Sequence, residues 1–187
     1  MRQSTALSTS PAFLESGTFV ILQDTREQLP YTFKGLRLYG KPIEVPVEVA
    51  TLTTGDYSVK GLESEICVER KSVTDFYSTI TRGRDRFERE LARMATMKRA
   101  AIVVEGRFTD LASDPLFFGY RINPESVTGS VASFLVRYGV PCFFLHGRAK
   151  AEAFTFKLLH KYFKAHQDAE AHPHTSDKHT PILVNRV

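Results

Sequence analysis

Three short apolar runs constrain what this chain of 187 residues can fold into: Thr18 to Gln23, Glu65 to Val68 and Ala100 to Val104. Each gives way to an acid at its C-terminal end, Asp24, Glu69 and Glu105 respectively. Continuous apolar runs of this length suit strands buried on both faces. Charged residues just past buried strands gather where sites form. Side chains alternate along a strand, so Glu69 and Lys71 share one face and Arg70 takes the other.

The middle run belongs to a longer string: Gly55-Asp56, twelve residues, Glu69-Arg70-Lys71, three residues, Asp75. Gly55 places a turn before Asp56, and Gly61 turns the chain back into the Glu69 strand, so the two acids meet across neighbouring strands. Carboxylates held close resist ionising together unless a divalent cation neutralises them. Mg2+ takes oxygen ligands and keeps several waters. A neighbouring lysine, here Lys71, can then position the water that attacks a phosphodiester. An exposed ion-pair network on a strand edge is the plainer alternative, because an acid followed by acid-x-lysine is common by chance.

The complete string resembles the signature of the XPF family of structure-specific endonucleases, Hef-like proteins within the restriction-endonuclease-like, or PD-(D/E)XK, class. Every fixed position of that signature is filled. The resemblance implies an α/β fold with a central mixed sheet flanked by helices, and a DNA endonuclease dependent on Mg2+ or Mn2+. Asp24-Thr25-Arg26-Glu27 is similar to the family's Asp-x-Arg-Glu motif after its first strand. The family reading makes Asp24, Glu27, Asp56, Glu69 and Lys71 catalytic, with Asp24, Asp56 and Glu69 holding the metal and the Arg70 carbonyl as a further ligand. Arg70 itself pairs with an acid inside the domain, and Glu105, in a Val-Glu-Gly ending similar to the family's, borders the site. Gly83-Arg84 before Phe87-Glu88 resembles the family's Gly-Arg helix, which makes Arg84 a phosphate contact together with Arg26, Arg86 and Arg89.

The rest of the chain sets the frame. Residues 1–16 read as a disordered lead-in, 17–165 as the nuclease-like domain and 166–187 as a flexible tail whose histidines lack metal-ligand spacing. Gln28 to Pro42 reads as a loop and Ile43 to Ala50, bounded by Pro42 and interrupted by Pro46, as an edge strand. Ser72 with Asp75 three residues on resembles a capping box, so Asp75 is either a cap or a direct participant. Gly83 breaks the helix that follows. Past it, Arg86, Arg89 and Arg93 share a face opposite Phe87, Leu91 and Met94, either solvated and paired by Glu88 and Glu90 or tracking phosphates. Phe108 to Tyr120 reads as an irregular connection. Asn123-Pro124 then starts a helix with a buried stripe of Val127, Val131, Leu135 and Tyr138, and Gly139 ends it. Val140 to Leu145 is the last strand, and Ala149 to about Ala165 the last helix.

A hydrophobic content of 42% with 25% charged residues excludes a disordered or membranous chain, and a formal charge of +4 leans towards a polyanionic partner. The two cysteines, Cys67 and Cys142, suit buried free thiols. No run approaches the roughly 18 apolar residues of a membrane span, so the expectation is a soluble, cytoplasmic protein. The last helix carries apolar residues on more than one face, and the family resemblance makes a homodimer through the C-terminal helices the expectation. Family members commonly continue into a helix-hairpin-helix module or carry a helicase; only a short polar tail follows here, so a separate helicase or DNA-binding partner is expected. A non-catalytic DNA-binding scaffold subunit is the alternative function, against which the intact Glu69-Arg70-Lys71 argues. RNA is a third possible substrate.

Overall fold

The computed structural model describes residues 18–113 and 123–172. The expected lead-in, the second part of the connection before Asn123 and the segment after His172 lie outside the described residues. Among the described residues, the strands are β1 (Ile21–Asp24), β2 (Arg37–Leu38), β3 (Lys41–Pro42), β4 (Val47–Ala50), β5 (Tyr57–Val59), β6 (Ile66–Lys71), β7 (Arg99–Val104) and β8 (Cys142–Phe144). The helices are α1 (Val73–Ile80), α2 (Arg84–Met94), α3 (Phe108–Ser113), α4 (Pro124–Tyr138) and α5 (Arg148–Ala171). Six strands form one mixed sheet in the order β4-β1-β5-β6-β7-β8, and β2 and β3 form a separate small hairpin.

Both faces of the sheet are covered, which is why its central strands show no polar alternation. One face carries Ile21, Tyr57, Val59, Val68 and Val103, packed with Phe156 and Leu159 of α5 and with Tyr31 and Phe33 of the β1–β2 loop. The other carries Cys67, Ile102 and Val104, against Phe76 and Ile80 of α1, Phe87, Leu91 and Met94 of α2, and Val127 and Phe134 of α4. Tyr57 and Val68 are paired across β5 and β6. Strand alternation therefore turns their neighbours Asp56 and Glu69 together onto the α1–α2 face.

Local signals set most boundaries. The Ser72 hydroxyl accepts from the Asp75 N–H at the start of α1, and the Asn123 side chain accepts from the Glu125 N–H at the start of α4. Gly139, at φ 69°, ends α4 in the left-handed conformation that glycine adopts most readily. The expected edge strand is β4, at the border of the sheet and parallel to β1. Cys67 and Cys142 are free thiols, the first buried. None of the described helices is long and apolar enough to cross a membrane.

The structure corrects several sequence expectations. The segment after Phe108 opens with the short helix α3. The Gln28–Pro42 loop contains the β2–β3 hairpin. Of the expected α4 stripe, Val127 is buried and Val131 and Tyr138 pack partly buried on the core, whereas Leu135 is exposed and Ser130 and Phe134 are buried instead, because the helix meets α1, α2, α3 and β8 through the face centred on Phe134. α5 continues to Ala171, past the expected boundary of its tail, and His166 in that extension lies beside Glu65 and Glu170. The apolar residues of α5 belong to one wide core-facing surface, with Phe154, Leu158, Tyr162 and Phe163 partly buried around Phe156 and Leu159.

Leu91 is fully buried where α2 meets the sheet. Its truncation in Leu91→Ala is expected to destabilise the domain by about 2–5 kcal/mol, measured by urea denaturation.

Candidate functional site

The site is built on the turn that enters β5 and on the end of β6. Gly55 has φ +75°, and a Cβ there would lie 2.8 Å from the Cys67 Cβ and 3.2 Å from the Val68 carbonyl oxygen. Only glycine lets this turn press so closely on β6 without strain. Asp56 follows immediately, its N–H donating to the Val68 carbonyl at 2.8 Å and its carbonyl accepting from the Asp24 N–H at 2.8 Å. Its carboxylate accepts from the Arg70 N–H at 2.7 Å. The Asp56 side chain is thus fixed to the backbone of β6 next to Glu69.

Glu69 is buried, and its carboxylate accepts from Lys71 Nζ at 2.5 Å. The ammonium also lies 4.9 Å from the centre of the Phe87 ring. Burial raises the Asp56 carboxyl to about 8, and the Glu69 charge adds to that rise. Burial likewise raises Glu69 against the pull of Lys71, with Glu90 and Glu27 adding to the rise. Burial disfavours the Lys71 ammonium, but Glu69 outweighs it and leaves Lys71 raised. The result is an acidic pair, Glu69 buried and Asp56 half-buried, with one cation alongside.

Arg70 takes the opposite face, as alternation requires. Its guanidinium makes a two-pronged contact with Glu105, at 2.7 and 2.9 Å, and reaches Glu27 at 3.4 Å. Arg148, the first residue of α5, also binds Glu105, at 3.1 Å, and donates to the carbonyls of Leu29 and Pro30 at 2.8 and 2.7 Å. The Tyr31 ring lies 5.7 Å from Arg70 and 4.9 Å from Arg148. Glu27 is held at this junction by the Leu29 N–H, at 2.7 Å, as well as by Arg70. Its charge reaches both Asp56 and Glu69.

Asp24, expected among the metal ligands, has both oxygens engaged. One accepts from the Arg26 N–H and Nε at 2.8 and 2.6 Å, the other from Arg26 Nη2 and the Leu52 N–H at 3.0 and 2.7 Å. Burial works to raise its pKa, but these bonds outweigh it and hold the carboxyl below its ordinary range. In this arrangement Asp24 clamps the loop after β1 to the start of the Leu52 turn.

Glu69 and Lys71 open into a cleft of about 770 Å³. Its wall carries Arg26, Arg82, Arg86, Arg89 and Arg93, together with Asp75 and Glu90. Asp75 serves as a cap, since its carboxylate accepts from the Ser72 hydroxyl at 2.6 Å, and it also borders this cleft. Arg84, expected to touch phosphate, is turned elsewhere: it binds Glu88 at 3.1 Å and the Ser130 hydroxyl of α4 at 3.2 Å. Its place at the first position of α2 aims it along the α4 contact, whereas Arg86, Arg89 and Arg93 share the cleft face.

Sequence reasoning gave no role to Arg82, which lies in the link between the two helices, or to Arg148, which is distant in the chain. Glu90 was expected only as an arginine partner. It does pair with Arg93, but it also accepts from the Thr54 hydroxyl and, at 3.4 Å, from the Gly55 N–H. Its position three residues after Phe87, at the border of the buried stripe, was the available signal.

Among the described residues, no three His, Cys, Asp or Glu side chains are grouped so as to hold a metal by themselves. Asp56 and Glu69 nevertheless suit Mg2+ or Mn2+: two oxygen donors whose mutual repulsion an added charge would relieve, with water or substrate phosphate left to complete the shell.

Because Asp56 titrates higher when folded than when unfolded, the folded chain retains a proton that the unfolded chain loses. Its contribution to stability is therefore present at low pH and is lost as pH rises from the ordinary aspartate range through about 8. In divalent-free buffer, the melting temperature of the wild type is expected to fall relative to Asp56→Asn across that window; parallel melting curves would show that Asp56 does not titrate there.

The ERCC4 domain matches residues 23–158 of the chain. No curated protein matches it. Among solved structures, XPF from Aeropyrum pernix is similar at a TM-score of 0.60 and 20% identity, over 81% of this chain and 68% of that one. XPF from Aeropyrum pernix in complex with DNA is similar at a TM-score of 0.58 and 23% identity, over 79% of this chain and 66% of that one. The match is thus to about two thirds of the length of those chains, and at these identities it shows the fold. The family resemblance read from Gly55 to Asp75 is borne out, and family membership supports a DNA endonuclease. The chain belongs to the ERCC4 domain family and has the restriction-endonuclease-like fold of the XPF nuclease domain.

Proposed function

We propose that this domain is a Mg2+- or Mn2+-dependent endonuclease that hydrolyses DNA phosphodiester bonds near junctions of single strand and duplex. The observation that carries the reading is the pair of Asp56, half-buried, and Glu69, buried, with Lys71 bonded to Glu69 where the two open into an arginine-walled cleft. Asp56 and Glu69 would hold the cation, with the Arg70 carbonyl as a further ligand, while Glu27 acts on the pair through its charge. Bound there, such an ion would supply Lewis-acid chemistry, polarising a phosphoryl oxygen and lowering the pKa of water. Lys71, kept protonated by Glu69, steadies that water or the charge developing on the phosphate. Asp24 braces Arg26, Arg70 braces Glu27 and Glu105 with one guanidinium, and Asp75 fixes the start of α1. Arg26, Arg82, Arg86, Arg89 and Arg93 draw in and seat the phosphate backbone, a sequence-independent attraction. The proposal includes a homodimer through the C-terminal helices.

Purified protein is expected to nick labelled forks and flaps with Mn2+ and to cut plain duplex less. Asp56→Ala should abolish nicking, and Lys71→Met should slow it about 10²–10³-fold. Undiminished cutting by Asp56→Ala would rule out this centre.

For binding, the Arg86→Gln, Arg89→Gln double variant should weaken DNA affinity irrespective of sequence. It should also flatten the dependence of log affinity on log salt by about 1 for each phosphate that is no longer neutralised, measured by fluorescence anisotropy.

A further inference from the structure

The turn that presents Asp56 is gripped from two sides. Towards the sheet, Gly55 presses on Cys67, and Asp56 is bonded to Val68 and Arg70. Towards α2, the partner is Glu90. One of its carboxylate oxygens accepts from both the Thr54 hydroxyl and the Gly55 N–H, and the other is taken by Arg93. Thr54 is only 4% exposed. Without Glu90 its hydroxyl would face the α2 side of the turn with no acceptor, and the Gly55 N–H would lose its partner as well.

Placing a third carboxylate here has an electrostatic cost, since the Glu90 charge raises Glu69. The ion pair with Arg93 offsets that cost. A residue tolerated despite such repulsion, and bonded to both residues before Asp56, is placed to fix where the Asp56 carboxylate sits.

We propose that Glu90 is a positioning residue: from α2 it straps the Thr54–Gly55 turn, setting Asp56 at the distance from Glu69 that a shared divalent cation needs. The inference rests on the proposed cation site, and it makes the arginine-bearing helix part of that site's framework. The working feature is the acceptor oxygen. Glu90→Gln retains an acceptor for Thr54 and Gly55, while Glu90→Ala removes it, and Thr54→Val removes one donor at nearly constant shape.

The test is calorimetric titration of the wild type and four variants with Mn2+, without DNA, each first shown to be folded by its melting curve. The wild type should bind and Asp56→Ala should not. Glu90→Ala and Thr54→Val should bind about 10–100-fold more weakly, the range seen when an outer partner of a ligand is removed, and Glu90→Gln should stay close to wild type. If Glu90→Ala and Thr54→Val match the wild type while Asp56→Ala fails to bind, the strap is overturned and the cation site stands. If Glu90→Gln is as weak as Glu90→Ala, charge rather than the acceptor matters, and the positioning role is overturned. If the wild type does not bind, or Asp56→Ala binds equally well, the cation site itself is wrong. Should Glu90→Ala fail to fold, Thr54→Val and Glu90→Gln decide the matter by the same comparison.

Discussion

Two carboxylates kept from water repel each other, and at Asp56 and Glu69 the fold contains that repulsion with fixed partners. A peptide N–H of β6 binds Asp56, the Lys71 ammonium binds Glu69, and the closeness of Gly55 to Cys67 leaves the turn little room to retreat. The sheet supplies the rigidity: β6 pairs with β7 in parallel register from Ile66 to Lys71, so the strand end cannot splay without breaking its ladder. The helices supply the dry wall, through Phe87 of α2 under the lysine.

The reverse face of the same strand end is organised by a different logic. There Arg70, Glu105 and Arg148 form a chain of alternating charge that runs from buried Arg70 out to the part-exposed Arg148, beside the Tyr31 ring. Ion pairs of this kind contribute little net stability after desolvation, but removing one member leaves the others uncompensated. Their effect is geometric. They tie α5 to the loop after β1 and so set where Glu27 stands relative to the acids on the other side.

What was legible in the sequence was whatever depends on near neighbours. The facing of Glu69, Arg70 and Lys71 follows from strand alternation alone. The limits of α1 and α4 follow from Ser72, Asn123 and Gly139, whose side-chain or backbone preferences act within a few residues. The inner face of α2 follows from the spacing of Phe87, Leu91 and Met94. Less legible was what a distant partner decides. Arg84 turns to Ser130 on α4, Asp24 takes one of its four bonds from Leu52 across a loop, and the buried line of α4 is set by the face it offers to its neighbours. Arg148 gave no local sign of its role, and Glu90 only its place at the border of the buried stripe, because their partners lie on other elements.

The alternation along β6 has one more consequence. Because acid and base occupy successive positions, sliding this strand one step against β7 would send the Arg70 guanidinium into the cleft and bury Glu69 and Lys71 beneath α5. The error would change the cavity floor from an acid paired with a lysine to a lone guanidinium, while keeping the residue composition of the strand. Fidelity of pairing during folding, as much as the identity of any side chain, therefore decides whether a newly made molecule is competent.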